Sequence, residues 1–121
     1  MLDVIQAVGD RKYGNQTTGG STSTRHLFDT LRNAGAAARK MFIQAAAKEW
    51  NVDESKCKTE AGKVLEIGGS RSFTYGELTE KAAELPVPPE GSYSLKSKED
   101  YTIMTEPHSH IDEPDIVSGK A

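Results

Sequence analysis

The sequence predicts an α+β fold: a long N-terminal amphipathic helix, a short β-hairpin, a second short helix and an extended C-terminal segment. Three observations carry that expectation. Apolar residues recur at helical spacing over about 25–50. Two strand-like runs, Cys57-Lys58-Thr59 and Lys63-Val64-Leu65-Glu66-Ile67, flank Glu60-Ala61-Gly62 and read as a hairpin. Thr74-Tyr75-Gly76-Glu77 has the spacing of a capping box, in which hydroxyl and carboxylate satisfy each other's orphan backbone amides.

The chain begins with a short apolar run, Met1 to Asp10, that carries acids at Asp3 and Asp10, lacks a basic leader and is far too short to span a bilayer. Neither a signal nor a membrane segment is read there. From Arg11 to Thr24 the sequence is polar, glycine-rich and full of turn formers, a loop that runs directly into the long helix. One side of the helix carries Leu27, Phe28, Leu31, Ala34, Gly35, Ala38, Met41, Phe42, Ala45 and Glu49 or Trp50. The other carries Asp29, Arg32, Asn33, Arg39, Lys40 and Lys48. Ser23 or Thr24 suits the N-cap, and Asn51 with Val52-Asp53-Glu54-Ser55 supplies the stop.

The run Ala34-Gly35-Ala36-Ala37-Ala38 removes side-chain bulk for more than a turn. Two readings stand side by side. A second backbone packs closely there and offsets the cost of glycine, about 1 kcal/mol relative to alanine, or the helix is ordinary and Gly35 is merely tolerated.

After the hairpin, Gly68 to Ser72 reads as a turn, and a second helix is expected from about Tyr75 to Glu84, with Leu78, Ala82 and Leu85 as its apolar stripe. Pro86-Val87-Pro88-Pro89 ends it by removing donors and fixing an extended backbone. Beyond Glu90 the chain is polar, with Tyr93, Leu95, Tyr101, Ile103, Met104, Ile111, Ile116 and Val117 left for burial in extended segments and loops.

Composition bounds what such a chain can be. Its length of 121 residues fits one unit, and Leu, Ile, Val and Phe together make only 22 of them, so a thin core is expected. The net charge of -3, with cations and acids interspersed, gives no general reason to bind nucleic acid or anionic membranes. A single cysteine, Cys57, excludes an internal disulfide and a cysteine-based metal cluster.

Chemistry concentrates at one place. Gln16-Thr17-Thr18-Gly19-Gly20-Ser21-Thr22-Ser23 sits where the long helix begins, so free amides and the positive end of the helix dipole point at one spot. Glycines allow close approach of a ligand, and the hydroxyls and the amide side chain can bond phosphate or a polar ring edge. The pattern is neither a Walker A loop nor the three-glycine dinucleotide fingerprint. A flexible capping loop is the competing reading. His108 and His110 lack a third metal ligand at credible spacing, and Cys57 between Lys56 and Lys58 is either a thiol of lowered pKa or a small apolar strand residue. No paired carboxylates suggest general acid and base roles, and no catalytic residue is assigned.

Thr18-Gly19-Gly20-Ser21-Thr22-Ser23-Thr24-Arg25, followed by Leu31-Arg32-Asn33-Ala34-Gly35-Ala36-Ala37-Ala38-Arg39, resembles large subunits of the isoquinoline 1-oxidoreductase and aldehyde oxidoreductase type, in the xanthine dehydrogenase superfamily. Phe73-Thr74-Tyr75-Gly76-Glu77-Leu78, Leu85-Pro86-Val87-Pro88, Asp112-Glu113-Pro114 and Val117-Ser118-Gly119-Lys120-Ala121 follow in the family's order, and the resemblance covers essentially the whole chain. His110 departs from it, standing where an arginine is usual.

The resemblance implies an internal fragment of a molybdopterin-binding subunit. Its parts would be a glycine and hydroxyl loop (1–24), a helix-hairpin-helix unit (25–85) and an extended linker towards a further domain (86–121). It places cofactor binding on Gln16, Thr18, Gly19, Gly20, Ser21, Thr22 and Ser23, with molybdopterin in its cytosine dinucleotide form as the cofactor of the parent. Such enzymes hydroxylate aldehydes or N-heterocycles with oxygen from water, and electrons leave through an iron-sulfur small subunit. The implied partners are the remainder of the large subunit and that small subunit. The family's base glutamate and other cofactor loops have no counterpart in these residues, so the chain alone is expected to carry neither cofactor nor activity. The alternatives are a non-catalytic interaction module or truncated relic, and a small phosphoester-binding protein.

Overall fold

Alanine-rich helical periodicity produces the dominant element of the computed structural model, which describes residues 8–104, 106–109 and 112–120. Helix α1, Ser23–Trp50, has 28 residues and is therefore about 42 Å long. It ends as the sequence predicts: Asn51 adopts the left-handed conformation, and its N–H bonds back to the carbonyls of Ala47 and Lys48. The start differs from expectation. Thr22, not Ser23 or Thr24, is the N-cap, and it makes no side-chain cap bond because its hydroxyl donates to the carbonyl of Gly19 at 2.9 Å.

A short turn follows, in which the Asp53 carboxylate accepts from the Ser55 amide at 2.9 Å. The chain then forms an antiparallel sheet of three strands in the order β1-β2-β3: β1 Cys57–Glu60, β2 Lys63–Glu66 and β3 Ser72–Thr74. The hairpin closes at Glu60 opposite Lys63. Its two turn residues, Ala61 and Gly62, both have positive φ, 46° and 77°, the geometry of a type I′ turn whose twist matches that of the strands. Strands β1 and β2 lie in the two strand-like runs, whereas Ser72, expected in a turn, belongs to β3. In the structure Ser72 pairs with Leu65 and Phe73 with Val64.

Helix α2, Tyr75–Ala83, springs directly from β3 through the predicted capping box. The Glu77 amide donates to Thr74 Oγ1 at 3.2 Å, and the Glu77 carboxylate accepts from the Thr74 amide at 2.7 Å. Helix α3, Glu113–Ser118, is a single short helix inside the segment expected to be extended; it buries nothing and ends on Gly119 at φ 70°.

The core is small and lies at one end of α1. Ala45, Ala46, Ala47, Cys57, Val64, Leu78 and Ala82 are buried there, with Val64 and Leu78 the largest fully buried side chains. Stacked rings flank it: Phe42 on Tyr75 with centroids 4.5 Å apart, and Trp50 on Phe73 at 5.3 Å. Arg71 latches the sheet to the helix end. It grips the Glu66 carboxylate with two nitrogens, Nε at 2.7 Å from Oε2, donates to the Trp50 carbonyl at 3.2 Å and lies 5.5 Å from the centre of the Trp50 ring. Small alanines let α2 and the hairpin approach α1 together, which is why both flanks of its last turns are covered.

The first half of α1 has no such cover. Leu27, Phe28 and Leu31 are exposed, as are Ala34, Gly35 and Ala38. A Cβ added to Gly35 would meet nothing within 4 Å. Of the two readings of the small-residue run, the tolerated glycine is therefore the one this structure supports. Ala36 and Ala37 are the buried members, and Ala36 lines a cleft with Leu95, Lys96 and Tyr101 of the returning chain.

Candidate functional site

The glycine and hydroxyl loop reaches α1 through one tight turn. Gly20 and Ser21 have φ of 59° and 54°, so two successive residues lie in the left-handed region. That conformation suits glycine and is uncommon for serine. It folds Thr22 back on Gly19, whose carbonyl accepts from the Thr22 amide at 3.3 Å and from its hydroxyl at 2.9 Å. The first α-helical bond then runs from the His26 amide to the Thr22 carbonyl at 2.9 Å. The amides of Ser23, Thr24 and Arg25 belong to the turn that has no intrahelical acceptor.

Helices α1 and α2 differ in what meets their N-termini. In α2 the first turn holds Glu77, whose carboxylate is drawn below its ordinary pKa by the Thr74 backbone amide and then by the Thr74 hydroxyl. In α1 the first turn holds no acid and no side chain caps it. The first turn of α1 thus supplies no anion of its own to its amide end and carries Arg25. Physically, such an end favours an anionic group from outside.

Five of the seven residues singled out by the sequence, Gly19, Gly20, Ser21, Thr22 and Ser23, form one continuous turn at this end. Gln16 stands apart: its side-chain carbonyl accepts from the Asp10 amide at 2.8 Å and cinches the preceding segment. Thr18 is exposed between them. The Thr22 hydroxyl is already committed to the Gly19 carbonyl.

The joining of the surface next to this loop has no signature in the local sequence. Ser23, Thr24, Leu27, Phe28, Leu31 and Met104 border an open hollow of about 440 Å³. Met104 lies some eighty residues from Ser23 in the chain, so periodicity alone could not bring them together. An excess of large apolar residues on a half-helix with no core to fill was the available signal.

Among the described residues the other candidates are not brought together into a site. His108 Nε2 donates to the Ile103 carbonyl at 2.7 Å, and His110 lies outside the described residues. Among the described residues no group of three or more His, Cys, Asp or Glu is placed to hold a metal ion. Cys57 is buried, and burial first, then the carboxylates of Glu66 and Glu54, raises its thiol pKa. The lowered value that its neighbouring lysines suggested is corrected: Lys58 reaches Glu60 instead, at 3.2 Å. Among the described residues no helix is long and apolar enough to cross a membrane.

No protein-family model matches the chain. It is similar to the isoquinoline 1-oxidoreductase subunit beta of Brevundimonas diminuta, with 43% identity over 82 residues that cover 61% of this chain and 10% of that protein. It is also similar to the membrane-bound aldehyde dehydrogenase (pyrroloquinoline-quinone) of Gluconacetobacter polyoxogenes, 33% identical over 72 residues, or 60% of this chain and 9% of that one. The chain therefore spans about a tenth of the length of the curated relatives it matches, and what it resembles is a segment of two oxidoreductases.

Proposed function

We propose that the chain is a piece of a molybdenum hydroxylase large subunit and that its glycine and hydroxyl loop grips the phosphate end of a molybdopterin dinucleotide. The observation that carries this reading is the 43% identity over 82 residues to a subunit of isoquinoline 1-oxidoreductase. The loop supports it independently. Gln16, Thr18, Gly19, Gly20, Ser21, Thr22 and Ser23 would hold the cofactor, with the uncapped, acid-free end of α1 answering the charge of a pyrophosphate. Thr22 sets the turn, Ser21 and Ser23 offer hydroxyl donors, and Gly19 and Gly20 leave room for phosphate oxygens beside the backbone.

When bound, the cofactor would supply the molybdenum at which an aldehyde or N-heterocycle takes up oxygen from water. These residues contribute position and charge. The remainder of the large subunit and an iron-sulfur partner would complete the enzyme, and the cytosine form of the dinucleotide is part of this proposal.

Titration of the chain with cytidine diphosphate, followed by amide NMR, tests the loop. Shifts confined to residues 16–25 are expected. A well-dispersed spectrum that does not change would remove the loop from the proposal. Absence of molybdopterin in the full-length parent, purified from cells able to make it, would remove the enzyme class.

A second reading, a non-catalytic interaction module, is favoured by the exposure of Leu27 (47%), Phe28 (38%) and Leu31 (63%) on one helix face. It predicts a stable partner complex with no anion dependence.

A further inference from the structure

No residue between Ser23 and Gly35 is buried, yet that half of α1 is not bare. One stretch of chain, residues 92–104, runs back over it. Two arginines hold the stretch from positions two turns apart on one side of the helix. Arg32 donates to the main-chain carbonyl of Lys96 and Arg39 to that of Ser94, each at 2.8 Å. The Arg32 guanidinium also lies 5.0 Å from the centre of the Phe28 ring and 5.5 Å from that of Tyr101. Between the clamps, Leu31, Gly35, Ala36, Leu95, Tyr101 and Met104 line a cleft of about 200 Å³. Met104 continues to the hollow beside Ser23 and Thr24.

We propose that residues 92–104 form a detachable strap whose docking, through the Arg32 and Arg39 clamps, sets the order of the first half of α1 and of the loop it carries. Three features make the strap separable. Both clamps are solvent-exposed, so water competes for each of them. Both acceptors are main-chain carbonyls, so neither clamp depends on the identity of a strap side chain. No strap residue is buried, and its release opens no part of the core around Val64 and Leu78. The strap with the first half of α1, and the core with the second, are then two units that open with different free energies.

Amide hydrogen exchange on the full 121-residue chain tests this by comparing the unaltered protein with Arg32→Ala, Arg39→Ala and the double variant. Exchange over residues 27–36 is expected to quicken about tenfold for each clamp removed, the factor expected of a charge-assisted hydrogen bond. Amides of 45–50, β2 and α2 keep their protection. Arg32→Lys, which keeps charge but loses the planar fork, restores part of the protection. Unchanged exchange over 27–36, no protection there in the unaltered protein, or equal quickening across the whole chain would each overturn the proposal. No ligand enters the measurement, so its outcome is independent of the cofactor reading.

Discussion

The two halves of α1 have similar helix-forming sequences and opposite surroundings. From Ala45 to Ala47 the helix is enclosed by α2 and the sheet, and its side chains are reduced to methyl groups so that both can approach. From Ser23 to Gly35 it carries larger apolar residues, Leu27, Phe28 and Leu31, and leaves them in solvent. Small residues are buried and large ones exposed, the reverse of simple expectation. What decides burial along this helix is which neighbours reach it, not the hydrophobicity of each residue.

The sharpest test of that contrast is the same deletion made in each half. Leu78→Ala removes a fully buried side chain beside the enclosed half and should destabilise by about 3 kcal/mol, lowering Tm by roughly 10 °C or more. Leu31→Ala, at 63% exposure, should change stability by less than about 0.5 kcal/mol. Paired thermal melts by circular dichroism check both; similar losses would mean that the first half is covered in solution.

The two helix starts come next. Thr74→Ala breaks a complete capping box and should cost about 1 kcal/mol in urea unfolding. Thr22→Ala, which breaks no cap bond to helix amides, should cost clearly less. Gly35→Ala probes the open track. With nothing within 4 Å of an added Cβ, alanine should stabilise the helix by about 0.4–1 kcal/mol. A loss of stability would instead reveal a backbone pressed against that turn.

The smallest effect is the response to acid. Hydrogen bonds from Arg71 hold the Glu66 carboxyl below its ordinary value of 4.5, and the Thr74 amide does the same for Glu77. For a carboxyl whose folded pKa is depressed, the added stability is complete above the ordinary value and lost as pH falls through the lower folded one. Both groups lie on elements that pack against the enclosed half of α1, Glu66 on β2 and Glu77 on α2. Trp50, the only tryptophan, stacks on Phe73 under Arg71, so its fluorescence should report loosening there on acidification. Glu66→Gln should flatten that acid response, and a response unchanged by the substitution would detach Glu66 from it.

These contrasts also show what the sequence could reveal. Periodicity, the Asn51 stop, the Ala61-Gly62 turn and the Thr74–Glu77 box are local, and each appears where its residues predict. Strand β3 was hidden because three residues cannot show alternation and Thr74 already belonged to a stronger helix signal. Helix α3 had readable punctuation in Pro114 and Gly119, but six residues give periodicity no room. At the candidate site, the turn through Gly20 and Ser21 follows from local chemistry. The approach of Met104 to Ser23, and the arginine clamps on Ser94 and Lys96, join residues far apart in the chain and leave no mark on either segment alone.

Because the core grips α1 only near Trp50, the helix acts as a lever with the loop at its far tip. Ser23 lies 22 residues from Ala45, about 33 Å along the axis, so a tilt of about ten degrees sweeps the loop through about 6 Å. That arc is twice the reach of a hydrogen bond. Angular play too small to disturb the alanine contacts at the fulcrum would therefore take the loop out of register with anything it touches, and steadiness at the tip has to come from contacts made along the arm.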